Sequence, residues 1–110
     1  MELLNELIEK MKASDAIGLS ELFCDDARFD DFCLSGMFSH ETHLIGKEAI
    51  DIHFFNRLIF QTYIVTGGEV KDDENAVMNV MIVGNPVKVN VHLDTVVDGK
   101  IDRVTLTPVA

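Results

Sequence analysis

At 110 residues and 47% hydrophobic content, the chain is long enough for one packed core and too apolar to stay disordered. Its net charge of -10 argues against a nucleic-acid partner, since phosphate backbones are met by clustered Lys and Arg. No apolar run reaches the ~20 residues of a membrane span, and two cysteines without a signal-peptide pattern suit reduced thiols in a cytoplasm.

The first predicted element is a helix over residues 2–12. Leu3, Leu4, Leu7, Ile8 and Met11 make one apolar stripe, with Glu and Lys on the wet side. Ser14-Asp15 offers an N-cap for a second, short helix running to about Phe23. A strand is predicted to begin near Arg28. Its period of two puts Phe29 and Asp31 on one face and Arg28, Asp30 and Phe32 on the other. Asp31 therefore travels with an apolar neighbour. It is either an edge residue reaching water or a functional acid with a raised pKa.

Residues 33–45 read as a loop or short ribbon. It contains His40-x-x-His43 with Glu41 between, but a metal site needs three or four convergent ligands and no third stands out. No metal or other cofactor is expected. Gly46-Lys47-Glu48-Ala49-Ile50 opens the longest helix, predicted to run to about Phe60. Ile50, Phe54 and Leu58 form one apolar stripe, and Ile52, Phe55 and Ile59 a second on the far side. Such a helix is expected to be sandwiched, here between the sheet and the two N-terminal helices. His53 and Arg57, at i and i+4 on the mixed stripe between, read most simply as a surface pair.

Residues 61–71 are β-rich, with Gly67-Gly68 as a bulge or bend, and Asp72-Asp73-Glu74-Asn75 is an acidic turn. Residues 76–83 are apolar at nearly every position, as in a strand covered on both faces. Helices supply one cover, and a second copy of the chain is the expected other. The chain ends in a hairpin over residues 87–107. Val87, Val89, Val91, Leu93, Thr95 and Val97 alternate with Lys88, Asn90, His92 and Asp94, and Asp98-Gly99 supplies a two-residue type I′ loop. No nucleophile elbow or Gly-rich phosphate loop is present.

Three stretches in register resemble the nuclear-transport-factor-2-like superfamily, which includes SnoaL-like polyketide cyclases and ketosteroid isomerases. They are Leu22-Phe23-Cys24-Asp25-Asp26-Ala27-Arg28-Phe29, Gly46-Lys47-Glu48-Ala49-Ile50 and Asp98-Gly99-Lys100-Ile101. The resemblance spans nearly the whole chain and implies one α+β domain over residues 1–110. Its expected form is a curved antiparallel sheet wrapped as a cone around the long helix, with a pocket at the open end. It also implies a homodimer joined through the sheet.

Ketosteroid isomerases place a general-base aspartate just after this first stretch, where Asp31 stands. Their second acid falls at His92, Leu93 or Asp94, depending on how the turn aligns, and the apolar alternation favours Leu93 facing inward. Their helix-1 tyrosine has no counterpart, since Tyr63 is the only tyrosine. The implied site has Asp31 as candidate base and His53 as a candidate partner. Its expected lining is Phe29, Phe54, Tyr63, Leu93 and Asp94, and its ligand a small apolar or amphipathic molecule. The same resemblance allows two other functions: an isomerase or cyclase using Asp31, or a protein-interaction module docking through its sheet.

Overall fold

The structure, a computed structural model, describes residues 2–33, 41–59, 63–82 and 84–109. Helices α1 (Glu2–Lys12) and α2 (Ala16–Ser20) lead into strand β1 (Phe23–Asp31), then β2 (Thr42–Ile45) and the long helix α3 (Lys47–Ile59). Strands β3 (Tyr63–Val70), β4 (Asn75–Ile82), β5 (Asn85–Val97) and β6 (Lys100–Pro108) follow. All six strands form one curved, unclosed sheet in the order β2-β1-β6-β5-β4-β3. Every neighbouring pair is antiparallel except β1–β6, which is parallel. The sheet is curved and antiparallel as expected, apart from this one pairing.

The turns form where the sequence places them. Asp98 and Gly99 have φ of 52° and 76°, the left-handed pair a type I′ hairpin requires, and they join β5 to β6. Asp72 closes the acidic turn by accepting the backbone N–H groups of Glu74 and Asn75. Asp15 caps α2 by accepting from the Gly18 N–H at 2.9 Å. That helix stops at Ser20, short of the predicted Phe23, because Phe23 already pairs with Ile101 of β6.

Helix α1 lies on β3 rather than over α3, burying Leu4, Leu7, Ile8 and Met11. Gly68 makes this approach possible. A Cβ there would stand 2.9 Å from the Val77 carbonyl oxygen and 3.1 Å from Ile8 Cδ1. Helix α2 packs against α3, and α3 packs against β1. Ile50, Phe54 and Leu58 of α3 are buried, but Ile52 and Phe55 are 63% and 50% exposed. The expected sandwich is therefore incomplete: α2 packs on α3, but with α1 on the sheet nothing among the described residues covers Ile52 or Phe55.

The strands supply the rest of the core. Ala76, Met78, Val80 and Ile82 of β4 face it, while Val77 and Met81 are only partly buried on the other face. On β5 the alternation holds through Val89, Val91 and Leu93. Register shifts at Leu93–Thr95 and Thr95–Val96 then end it, so Thr95 and Val97 are exposed rather than inward. Leu7, Met11, Phe23, Ile50, Phe54, Leu58, Val89 and Val91 belong to one core cluster, with Leu3 and Leu22 packed at its edge.

Candidate functional site

Strand β1 is the centre of the candidate site because its last three residues are all buried, on alternate faces. Phe29 and Asp31 are 3% and 6% exposed on the inner face, and Asp30 between them is 2% exposed on the outer. Across the sheet, Phe29 pairs with Val104 and Asp31 with Leu106, while Leu93 and Val91 stand opposite Val104 and Leu106 on β5. Leu93 thus shares the inner surface with Asp31 but stands two strands away, in the cross-strand row of Phe29. Asp94 is on the outer face, where the Thr105 hydroxyl donates to it at 2.6 Å. His92 is also outward and bonds Asn75 at 2.8 Å. Leu93 is therefore the inward residue of the three, and Asp94 does not belong to the interior lining.

The aromatic side chains of the inner face touch in sequence. Phe29 meets Phe54 edge-on at 5.1 Å between ring centroids, and Phe54 meets Tyr63 at 6.3 Å. His53, one position before Phe54, lies 6.4 Å from Phe29. The Arg57 guanidinium carbon sits 5.6 Å from the centroid of the Tyr63 ring, a cation–π contact. Tyr63 is 3% exposed, and its hydroxyl has no hydrogen-bond partner among the described residues.

Two polar groups of this wall are pulled in opposite directions. Burial raises the Asp31 carboxyl above its ordinary value, opposed by the Cys33 N–H, the Cys33 thiol, and the charges of Arg57 and His43. The Cys33 N–H donates to Asp31 Oδ1 at 2.8 Å. Cys33 itself is pushed up to about 12 by burial and by Asp31, so its thiol stays protonated. Burial, then the charge of Arg57, depresses His53 to about 4. His53, the candidate partner of Asp31, is therefore neutral near pH 7 and brings it no charge. Of the charged groups that lower the Asp31 carboxyl, the first is Arg57. Its i+4 spacing from His53 is the one sequence signal for it, and a surface-pair reading passes over it. Tyr63 is held far toward its neutral form, mainly by burial.

On the outer face Asp30 has a different set of neighbours. His43 Nδ1 lies 2.8 Å from Oδ1, Arg28 3.9 Å from Oδ1 and Arg103 Nε 3.4 Å from Oδ2. The last contact is within ion-pair range but is not a hydrogen bond, so Oδ2 has no hydrogen-bond donor among the described residues. His43 Nε2 also meets Glu41 at 3.2 Å, and the two carboxylates raise the His43 pKa. Among the described residues no group of three or more His, Cys, Asp or Glu is placed to hold a metal ion. His40, half of the His-x-x-His spacing, lies outside the described residues.

No protein-family model matches the chain. No curated protein matches it either. Solved structures do. A proposed polyketide cyclase from Sinorhizobium meliloti superposes with a TM-score of 0.72 at 22% identity, over 97% of this chain and 94% of that one. A nuclear-transport-factor-2-like protein of unknown function from Cytophaga hutchinsonii gives 0.63 at 12%, over 96% and 86%. A protein with a ketosteroid-isomerase-like fold from Catenulispora acidiphila, solved with trimethylamine, gives 0.66 at 16%, over 96% and 84%. The chain has the nuclear-transport-factor-2-like fold. At these identities the likeness is one of fold, and a nuclear-transport-factor-2-like sheet hosts many chemistries, so function has to come from the side chains.

Proposed function

We propose that this chain binds one small amphipathic molecule, its apolar body against Phe29, Phe54 and Leu93 and its polar end at Asp31 and Tyr63. The observation that carries this reading is the Tyr63 hydroxyl. Among the described residues that buried donor has no partner, an arrangement that costs about 1–3 kcal/mol and is relieved when a ligand oxygen accepts a hydrogen bond from it. Supporting it is Asp31, a buried carboxyl on the same inner face, within a wall that is largely aromatic and aliphatic. A few convergent polar groups set in apolar surroundings are how small-molecule sites fix orientation.

The probe that matches this arrangement is 2-naphthol, a flat apolar body with one hydroxyl. Calorimetric titration is expected to give saturable one-to-one binding, weakened about tenfold by Tyr63→Phe through loss of one hydrogen bond. Leu93→Trp, which adds bulk to the wall, is expected to abolish it. No saturable binding, or a Tyr63→Phe protein that binds as well as wild type, would overturn the reading.

A second reading, proton abstraction by Asp31, is favoured by the upward shift of its carboxyl. A general base works best with a pKa near the operating pH, and burial moves Asp31 that way. In this reading the α-carbon proton of a ketone passes to Asp31, and the enolate oxygen accepts from the Tyr63 hydroxyl. Deuterium exchange into 2-tetralone, followed by NMR, is the test. Exchange that Asp31→Asn abolishes supports the reading, and exchange no faster than in buffer removes it.

A further inference from the structure

Where β2 gives way to α3 there is a solvent-open groove of about 720 Å³, separate from the interior wall. Ile45 and Ile52 are its large apolar residues, and they are 67% and 63% exposed. Phe55, one helical turn beyond Ile52 and half-exposed, continues the same apolar surface along α3. Single exposed apolar residues are ordinary, but several side by side mark an interaction site.

The polar part of the groove has one dominant sign. Asp25, Glu48 and Asp51 line it, and Lys47 is the one cation among the lining residues. No ion pair reaches the three carboxylates among the described residues. Asp51 Oδ1 is shielded from water and has no hydrogen-bond partner there either. The N-terminus of α3 offsets only about half a unit of charge, so with Lys47 counted the groove stays negative.

That charge decides the occupant. A second copy meeting this surface about a two-fold axis would bring the same carboxylates face to face, in a chain whose net charge is already -10. A lipid surface is disfavoured for the same reason, because its headgroups are anionic. A basic partner turns the repulsion into attraction. We propose that the groove docks a basic amphipathic helix of another protein, its apolar stripe on Ile45, Ile52 and Phe55 and its Lys or Arg residues facing Asp25, Glu48 and Asp51. Helix-in-groove recognition has this form, with apolar anchors at i, i+3, i+4 and i+7. The groove is distinct from the interior wall, so the inference is independent of the small-molecule reading.

The probe is a labelled Leu/Lys peptide of about four helical turns, with leucine at i, i+3, i+4 and i+7, titrated with the full chain by fluorescence anisotropy. One peptide per chain is expected to bind saturably in the micromolar range, more weakly as salt rises. Ile52→Ser and Phe55→Ala, at exposed positions, should each weaken it about tenfold. Glu48→Gln should weaken it about threefold and flatten the salt dependence. Ile64→Ser, on the outer face of the sheet, should bind as wild type. A peptide of the same composition with Leu and Lys strictly alternating has no helical stripe and should bind about tenfold more weakly or worse.

Absent saturable binding, equal binding of the alternating peptide, or equal binding when Glu replaces Lys would overturn the proposal. So would undiminished binding to Ile52→Ser and Phe55→Ala, or an equal loss with Ile64→Ser. If Ile52→Ser dissociates a dimer in sedimentation, the groove belongs to a second copy. If it abolishes flotation of the wild type with phosphatidylserine vesicles, the groove belongs to a membrane, and in either case the proposal falls. Should Ile52→Ser not fold, Phe55→Ala and the peptide comparison decide.

Discussion

Phe54 and Phe55 are adjacent residues of the same type on the same helix, so truncating each in turn isolates burial from everything else. Phe54 is 2% exposed and meets Phe29 and Tyr63 edge-on; Phe55 is 50% exposed. Phe54→Ala loses the transfer energy of the ring and leaves a cavity, about 3–5 kcal/mol in all. That is a large share of the roughly 5–15 kcal/mol a domain of this kind has to lose. Phe55→Ala gives up only about half a ring's burial, ~1 kcal/mol. It regains up to ~0.5 kcal/mol from the better helix propensity of Ala, leaving a net loss of about 0–1 kcal/mol. In urea unfolding, with a slope near ~1.5 kcal/mol/M, Phe54→Ala should lower the midpoint by about 2–3 M while Phe55→Ala barely moves it. Equal losses at the two positions would refute the reasoning, because they would mean that the Ile52/Phe55 stripe is covered in solution.

Three further outcomes follow from the sheet. Burial raises the Asp31 pKa above its unfolded value, so the folded state holds that proton more tightly. The stability it contributes is full below the unfolded pKa of ~3.9 and is lost as pH rises through the folded pKa. The stability gap between wild type and Asp31→Asn should therefore move in favour of Asn across that window, and an NMR titration placing Asp31 at or below ~3.9 would contradict this. Asp30→Asn should instead destabilise, by about 1–3 kcal/mol, since His43 loses a charged hydrogen-bond partner and Arg28 and Arg103 lose a counter-charge. A smaller loss at Asp30 than at Asp31 near neutral pH would reverse the two assignments. Finally, Ile64 and Met81 are paired on β3 and β4, with Val77 further along β4, and this apolar outer patch predicts a homodimer at micromolar concentration. Sedimentation of a clean monomer would sink it, and Met81→Asp should produce that monomer.

The elements that could be read in the sequence were those with a single local cause. The α1 stripe, the Asp15 cap, the Asp98-Gly99 loop and the inward alternation from Val89 to Leu93 each depend on neighbours in the chain, and each lies where the pattern puts it. What escaped depends on contacts distant in sequence. The start of β1 at Phe23 is fixed by its pairing with Ile101, 78 positions away. The two-sided grease of α3 suggested a sandwich, but α1 goes to β3 through the gap at Gly68, and no local pattern encodes that. At the site, strand parity was enough to put Phe29 and Asp31 on one face. It could not show that His53 is desolvated to neutrality, or that Arg57 lies over Tyr63, because both depend on which turn of α3 meets which strand.

Asp30 and Asp31 show why the fold alone cannot assign the function. They are the same residue, adjacent on one strand and equally hidden from solvent. Reversing faces changes everything around them. Asp30 looks outward into two arginines and a histidine, so its charge is answered by the protein itself, and it ties β1 to β2 and β6. Asp31 looks inward at aromatic rings, with one backbone N–H and one thiol as its hydrogen-bond donors, and its carboxyl is lifted by burial. A carboxylate saturated by cations has little left to offer a ligand, whereas one held in an apolar wall changes protonation state when a charge or an acidic proton comes near. A single-residue register slip in β1 would exchange the two and leave the backbone unchanged. Which carboxyl faces the interior and which is held by cations therefore depends on strand parity at two positions, which a superposition of backbones does not register.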